Sequence, residues 1–180
     1  LVVAMLRGLI EKEGDSSSSP EWFLYGLNDS LVNIFGHAGI QMFATALYLI
    51  IDVEDQTLEF ATAGHPLPIV IKEGVASQLS SQKIVRGPAL GLVPEAPYGS
   101  DIIPLSTVDQ IVLFTDGIYE TEDAAGEEFG LDRMLEVLTT ASHLAGSESL
   151  DRLLAAGAEH GGADNFGDDV CMLAIDIGTN

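Results

Sequence analysis

The sequence predicts an α+β protein: helices first, then a run of antiparallel hairpins, then a helical stretch and one last strand. Two observations carry this. Apolar residues recur at helical spacing near the start and again between residues 131 and 159, whereas residues 42 to 115 hold short apolar runs of strand character. The turns between those runs are too short for crossover helices, which argues against a doubly wound parallel sheet.

Taken in order, Val2 to Glu13 reads as a helix, with Val2, Leu6, Leu9 and Ile10 at helical spacing. A polar loop through Gly14-Asp15 and a serine run follows. Ser19-Pro20-Glu21 is a helix start, with serine as cap, proline at the first helical position and an acid in the first turn. That helix carries Trp22, Phe23, Leu27, Leu31 and Ile34 and is expected to end near Gly36. Strands are expected at Met42 to Val53, Thr57 to Ala63, Leu67 to Lys72 and Val75 to Leu79, with turns at Glu54-Asp55-Gln56, Gly64-His65-Pro66 and Glu73-Gly74. Tyr98 to Leu105, Gln110 to Thr115 and Val170 to Ile177 complete the strands, and Leu131 to Ala141 and Ser147 to Glu159 are helical. No linker or internal repeat divides the chain, so residues 1–180 read as one domain.

Composition narrows the partners. The 28 Asp+Glu against 7 Lys+Arg give a formal net charge of −21, a field that repels nucleic acid and anionic membranes and attracts divalent cations and basic surfaces. No uncharged window is long enough to span a bilayer, so direct membrane insertion is not expected. The opening LVVAMLRGLI lacks a basic start and a cleavage site, and reads as a fragment cut inside a helix rather than a signal peptide. The one cysteine, Cys171, is expected in the core of the last strand, which fits a reducing, cytoplasmic compartment.

Chemistry points to Leu113-Phe114-Thr115-Asp116-Gly117-Ile118-Tyr119-Glu120, where an apolar strand ends in an aspartate on a glycine turn. A carboxylate at the end of such a strand is costly unless hydrogen bonds or a cation compensate it. Asp168-Asp169 stands directly before the last strand. If the two strands are sheet neighbours, roughly 5 Å apart, Asp116 and Asp168 can share a cation or a proton. Oxygen ligands favour Mg²⁺ or Mn²⁺ over zinc. The competing reading, that each aspartate caps a turn, stays open on the residues alone. Glu120 shares a face with Asp116 if a helical turn follows Gly117, or else is a solvated charge beside Glu122 and Asp123. Asp164 and Asp169 are expected at the surface or just outside the ligand set. His65, held between Gly64 and Pro66, is expected to fix a turn rather than bind metal. No serine nucleophile elbow is present, Cys171 has no basic neighbour, and Gly87-Pro88-Ala89-Leu90-Gly91 lacks the lysine and helix of a nucleotide loop.

Several segments in register, Phe43-Ala44-Thr45-Ala46-Leu47-Tyr48 with Asp52, Ala63-Gly64-His65-Pro66-Leu67-Pro68, Gly87-Pro88-Ala89-Leu90-Gly91-Leu92, Thr115 to Glu120, Gly126-Glu127-Glu128-Phe129-Gly130 and Asp168-Asp169-Val170, resemble the stage-II-sporulation-E/RsbU-type branch of the metal-dependent PPM (PP2C-like) protein phosphatases. The resemblance implies an αββα sandwich of two mainly antiparallel sheets flanked by helices, with a binuclear Mn²⁺ or Mg²⁺ centre. It implies hydrolysis of phosphoserine or phosphothreonine by metal-activated water, without a phosphoenzyme. Asp116 and Asp168 match the two later metal-ligand aspartates, with Glu120, Gly117 and Asp169 beside them. The implied substrate is a phosphorylated STAS-type anti-sigma-factor antagonist.

The family's early Asp-x-x-Gly-His-Gly motif is absent from these residues, as are the strands around it. The stretch alone is therefore expected to bind at most one metal weakly and to turn over little. Sheet edges left exposed would invite pairing between copies, as a homodimer. A non-catalytic pseudophosphatase or partner-docking module is the alternative, and a purely structural domain with solvated acids is a third.

Overall fold

The computed structural model describes residues 2–16, 18–39, 41–79, 86–162 and 166–178. Among them are four α-helices and seven strands in two antiparallel sheets, which is the predicted α+β class. The chain divides into two compact units, Leu1–His65 with Ser81–Pro104, and Pro66–Ser80 with Leu105–Asn180.

The first unit holds helices α1 (Val2–Lys12) and α2 (Pro20–Ala38) and a sheet in the order β1-β2-β5, from Ala46–Asp52, Thr57–Ala63 and Ser100–Pro104. Pro20 occupies the first helical position of α2, and the Ser19 carbonyl accepts the Phe23 N–H at 3.0 Å. The Ser19 side chain makes no capping bond, unlike the expectation for a serine there. The helix passes Gly36 and stops at Gly39, whose left-handed φ of 63° lets its N–H turn back onto the Gly36 carbonyl. Phe23, Leu24, Leu27, Leu31 and Phe35 line one face of α2 and pack with Ala61, Ala63, Leu90 and Tyr98 into a core. Asn28 is buried in that face and fully used: its amide donates to Val93 O at 2.9 Å, and its oxygen accepts the Gly91 N–H at 2.9 Å.

The glycine-rich motifs prove architectural here. Gly64 has φ 67°, and a Cβ there would stand 3.0 Å from the Ala89 nitrogen. Gly64 N–H donates to Gly87 O at 2.9 Å, while Ala44 and Leu90 exchange backbone bonds at 3.0 and 2.8 Å. The Ala63-Gly64-His65 and Gly87-to-Leu90 segments are thus packed backbone to backbone. Tyr98 lies over Gly87, and its hydroxyl donates to Pro88 O at 3.1 Å.

The second unit holds a sheet in the order β4-β3-β6-β7, from Val75–Gln78, Ile69–Lys72, Gln110–Phe114 and Met172–Asp176, with helices α3 (Gly130–Thr140) and α4 (Gly146–Gly161). Ile69, Ile71, Val112 and Phe114 from the strands meet Met134, Leu138 and Leu153 from the helices in its core. The β3–β4 turn uses positive φ at both Glu73 (49°) and Gly74 (82°), the twist that suits a two-residue hairpin. Asp109 clamps that turn, accepting Lys72 Nζ and the Glu73 N–H, each at 2.8 Å. Asp176, at the end of β7, accepts the Gly146 N–H at the start of α4 (3.1 Å) and Gln110 Nε2 (2.7 Å).

The chain leaves the first sheet after β2 and enters the second at β3, which gives the two mainly antiparallel sheets expected. One expectation needs correction. Cys171 is exposed and precedes β7 rather than lying in a buried strand, because among the described residues β7 is an edge strand paired only with β6. Asp164 lies outside the described residues. No helix among the described residues is long and apolar enough to cross a membrane.

Candidate metal centre

Strand β6 is apolar and almost wholly buried between β3 and β7, so the polar residues that follow it emerge at the sheet's end. Asp116–Ile118 form a single 3₁₀ turn, with the Tyr119 and Glu120 N–H groups both donating to Asp116 O at 3.1 and 3.0 Å. Ile118 is driven into the core, while Asp116 and Glu120 remain exposed. Thr121 is buried and its hydroxyl donates to Gly117 O at 2.8 Å, locking the turn from the core side.

The segment before β7 is brought to the same place by strand pairing. β6 and β7 are antiparallel with Phe114 opposite Met172, so the end of one lies beside the start of the other. Thr115 N–H donates to Cys171 O at 3.0 Å, and the Thr115 hydroxyl donates to Asp169 O at 3.0 Å while accepting the Cys171 N–H at 2.9 Å. Gly117 lies against this segment: a Cβ there would come 2.7 Å from Asp169 O and 3.1 Å from Asp168 O. One Asp168 carboxylate oxygen accepts the Asp169 N–H at 2.7 Å.

An open cavity of about 510 Å³ sits at this junction, lined by Gly117, Glu120, Glu122, Asp123, Gly167 and Asp168. Its lining carries carboxylates and no basic side chain. Asp116 is next to Gly117 in the turn but is not part of the lining. Among the described residues no three His, Cys, Asp or Glu side chains converge as a ligand set. Asp123 is committed to its own turn, accepting the Ala125 and Glu127 N–H groups at 2.8 and 3.0 Å. Those bonds, the Glu127 one foremost, hold its carboxyl below the usual range. Tyr119 is pushed the other way, first by burial and then by the negative charge of Glu120 and Asp116.

Sequence reasoning located Gly117, Glu120 and Asp168 and missed that Glu122, Asp123 and Gly167 share their cavity. Glu122 is returned by a loop whose ends meet in a bridge to Glu128. Arg133 holds that loop by donating to Glu128 O at 2.7 Å and Phe129 O at 3.0 Å. The crowding of acids after Asp116 was the available clue. Gly64 and His65 belong to the first unit, where the Thr62 hydroxyl donates to His65 O at 2.8 Å and the His65 ring contacts Thr45 Oγ1 at 3.1 Å.

Residues 1–178 match the family model for stage II sporulation protein E. The chain is 32% identical over 141 residues to protein IcfG of Synechocystis, and 20% identical over 178 residues to phosphoserine phosphatase RsbP of Bacillus subtilis. It spans 21% and 42% of the lengths of those relatives, while 77% and 98% of its own length is matched. Among solved structures it is similar to the PP2C domain of SiaA from Pseudomonas aeruginosa, with TM-score 0.77 and 20% identity over 96% of this chain and 68% of that one. It is also similar to the manganese-presoaked phosphatase domain of SpoIIE from Bacillus subtilis, with TM-score 0.60 and 15% identity over 99% of this chain and 74% of that one. The shared fold and the match along the family model lead to one conclusion: the chain belongs to the stage II sporulation protein E family.

Proposed function

We propose that the parent protein hydrolyses phosphoserine or phosphothreonine on a regulatory protein in a metal-dependent reaction with activated water, and that residues 1–180 are part of one phosphatase domain. The observation that carries this is the acid-lined cavity built on Gly117 and Asp168 in a chain matched to the family along residues 1–178. A dianionic phosphate ester entering such a cavity is repelled by its carboxylates unless a cation stands between them.

The donor chemistry fits a hard cation, since every side-chain donor in the lining is a carboxylate and Mg²⁺ is commonly held by one or two carboxylates with waters and phosphate completing its shell. By family likeness Asp168, in the lining, and Asp116, beside it, would be the protein ligands, with Glu120 and Asp169 as further acids. A bound Mn²⁺ or Mg²⁺ supplies Lewis acidity, which at such centres brings a water to a pKa of about 7. Thr115 and Gly117 keep the Asp168 segment seated against the turn that carries Asp116 and Glu120. The buried Ile118 and Thr121 keep that turn from shifting.

For this stretch by itself the proposal is narrower: it holds at most one metal weakly and turns over little, since by family likeness it carries two of the ligand aspartates and not the early motif. A non-catalytic docking module is the second reading. By family likeness the substrate is a phosphorylated STAS-type antagonist in the cytoplasm, with a homodimer formed through exposed sheet edges. Calorimetric titration with Mn²⁺, alongside Mn²⁺-dependent release of phosphate from a phosphoserine STAS protein by the parent protein, tests the assignment. A parent protein that binds the phosphoprotein without ever dephosphorylating it would instead establish the docking module.

A further inference from the structure

We infer that the groove between α3 and α4 is a binding site for a small amphipathic monocarboxylate, an apolar body with one anionic head. The groove has a volume of about 410 Å³, within the range of about 300–1,000 Å³ typical of small-molecule sites. Its floor is apolar, from Val137 of α3 and the short Ala155 and Ala156 of α4, with Ala141 and Leu144 from the connection between the helices. The short side chains of α4 leave the space open where longer ones would fill it.

Charge fixes the class of ligand. Lys12, Lys72 and Arg133 each stand within ion-pair distance of a carboxylate, and Arg7 and Arg86 lie outside the groove. Arg152 makes no ion pair among the described residues, although Glu148 lies one turn earlier on α4 at a spacing that favours one. It lines the groove instead, together with His143. An unpaired guanidinium beside an apolar floor is suited to a carboxylate that arrives with an apolar tail, held by the local charge against the repulsion of a chain of formal charge −21. Glu159 also lines the groove and disfavours a second negative charge, which selects a monocarboxylate over a phosphate dianion or a dicarboxylate.

The test is an NMR titration of the full chain with phenylbutyrate, its uncharged amide and the corresponding amine, at concentrations up to about 10 mM. Saturable shifts centred on the amides of Ala141, Leu144, Ala155 and Ala156 are expected. The carboxylate should bind about threefold to fivefold tighter than the amide, the worth of an exposed ion pair. Arg152→Gln should remove that preference while leaving the amide's affinity unchanged. Ala155→Leu, at an exposed position, should block all three compounds while leaving the amide spectrum of the folded chain in place. Binding of the amide or amine as tight as that of phenylbutyrate, shifts that do not saturate, or an Ala155→Leu chain that binds normally would each overturn the site.

Discussion

Thr115 and Cys171 are joined twice: Thr115 N–H donates to the Cys171 carbonyl at 3.0 Å, and Cys171 N–H donates to the Thr115 hydroxyl at 2.9 Å. The same hydroxyl reaches the Asp169 carbonyl at 3.0 Å, so one small side chain fastens the approach to β7 onto the end of β6. Thr115→Val keeps the shape and removes the hydroxyl. The expected cost is about 1 kcal/mol in urea unfolding, the net worth of a typical hydrogen bond. Mn²⁺ affinity of the parent protein should fall more than that, because the Asp168 segment is released locally. Affinity unchanged beside a lowered stability would remove Thr115 from any role at the site.

Gly117→Ala tests the same junction from the other side. Its methyl group would stand 2.7 Å from a backbone carbonyl, which cannot swing away as a flexible side chain can. We expect a loss of about 1–3 kcal/mol from overpacking, with amide shifts concentrated at Asp168 and Asp169. A variant as stable as the parent chain would mean that the two segments are not in contact.

Asp116→Asn and Asp168→Asn separate a ligand role from a capping role. Both carboxylates are exposed, so the melting temperature without metal should hardly change. Any rise in melting temperature produced by Mn²⁺ should shrink or vanish in each variant, since a ligand stabilises only the state that binds it. A full Mn²⁺ response in both would leave the two aspartates as turn residues.

Most of the secondary structure was legible because it is local. β2 runs from Thr57 to Ala63 as predicted, since its apolar run is bounded by turn residues on both sides. The division into two sheets was legible only through the family resemblance: Gly64-His65-Pro66 looks like any hairpin break, and nothing local in it marks the passage of the chain from one sheet to the other. Cys171 was misplaced because an apolar run does not distinguish an edge strand from a central one. At the site, Gly117, Glu120 and Asp168 were legible from a strand end and a turn. Glu122 and Asp123 looked like solvent-facing charges, because the loop return that brings them to the cavity depends on partners at 127 and 128.

Stability should fall at both ends of the pH scale, from different residues. Lys72 first, then the Glu73 N–H, hold the Asp109 carboxyl below its ordinary value of 3.8. That contribution is complete above the unfolded value and is lost as pH falls through the lower folded one. Burial pushes the Tyr98 phenol from 10.0 up to about 12. Its contribution is complete below pH 10 and is lost as pH rises toward the folded value, because the unfolded chain deprotonates first. Asp109→Asn should flatten the acid limb of a chemical-denaturation pH profile, and Tyr98→Phe the alkaline limb. An acid limb as steep in Asp109→Asn as in the parent chain would assign it to other carboxylates.

The start of α4 depends on a residue far away in sequence. Ala145 provides no side-chain cap, and the Gly146 N–H is taken by Asp176 Oδ2 at 3.1 Å. Asp176 therefore serves as a helix cap supplied by the last strand, and its second oxygen holds Gln110 at 2.7 Å, whose own oxygen accepts the Ser149 hydroxyl at 3.2 Å. Asp176→Ala should cost about 1 kcal/mol, the usual worth of such a cap. It should also raise hydrogen exchange in the first turn of α4 before it does so in the last turn. Uniform acceleration along the whole helix would indicate global destabilisation instead, and with it the loss of Asp176 as the residue that sets where α4 begins.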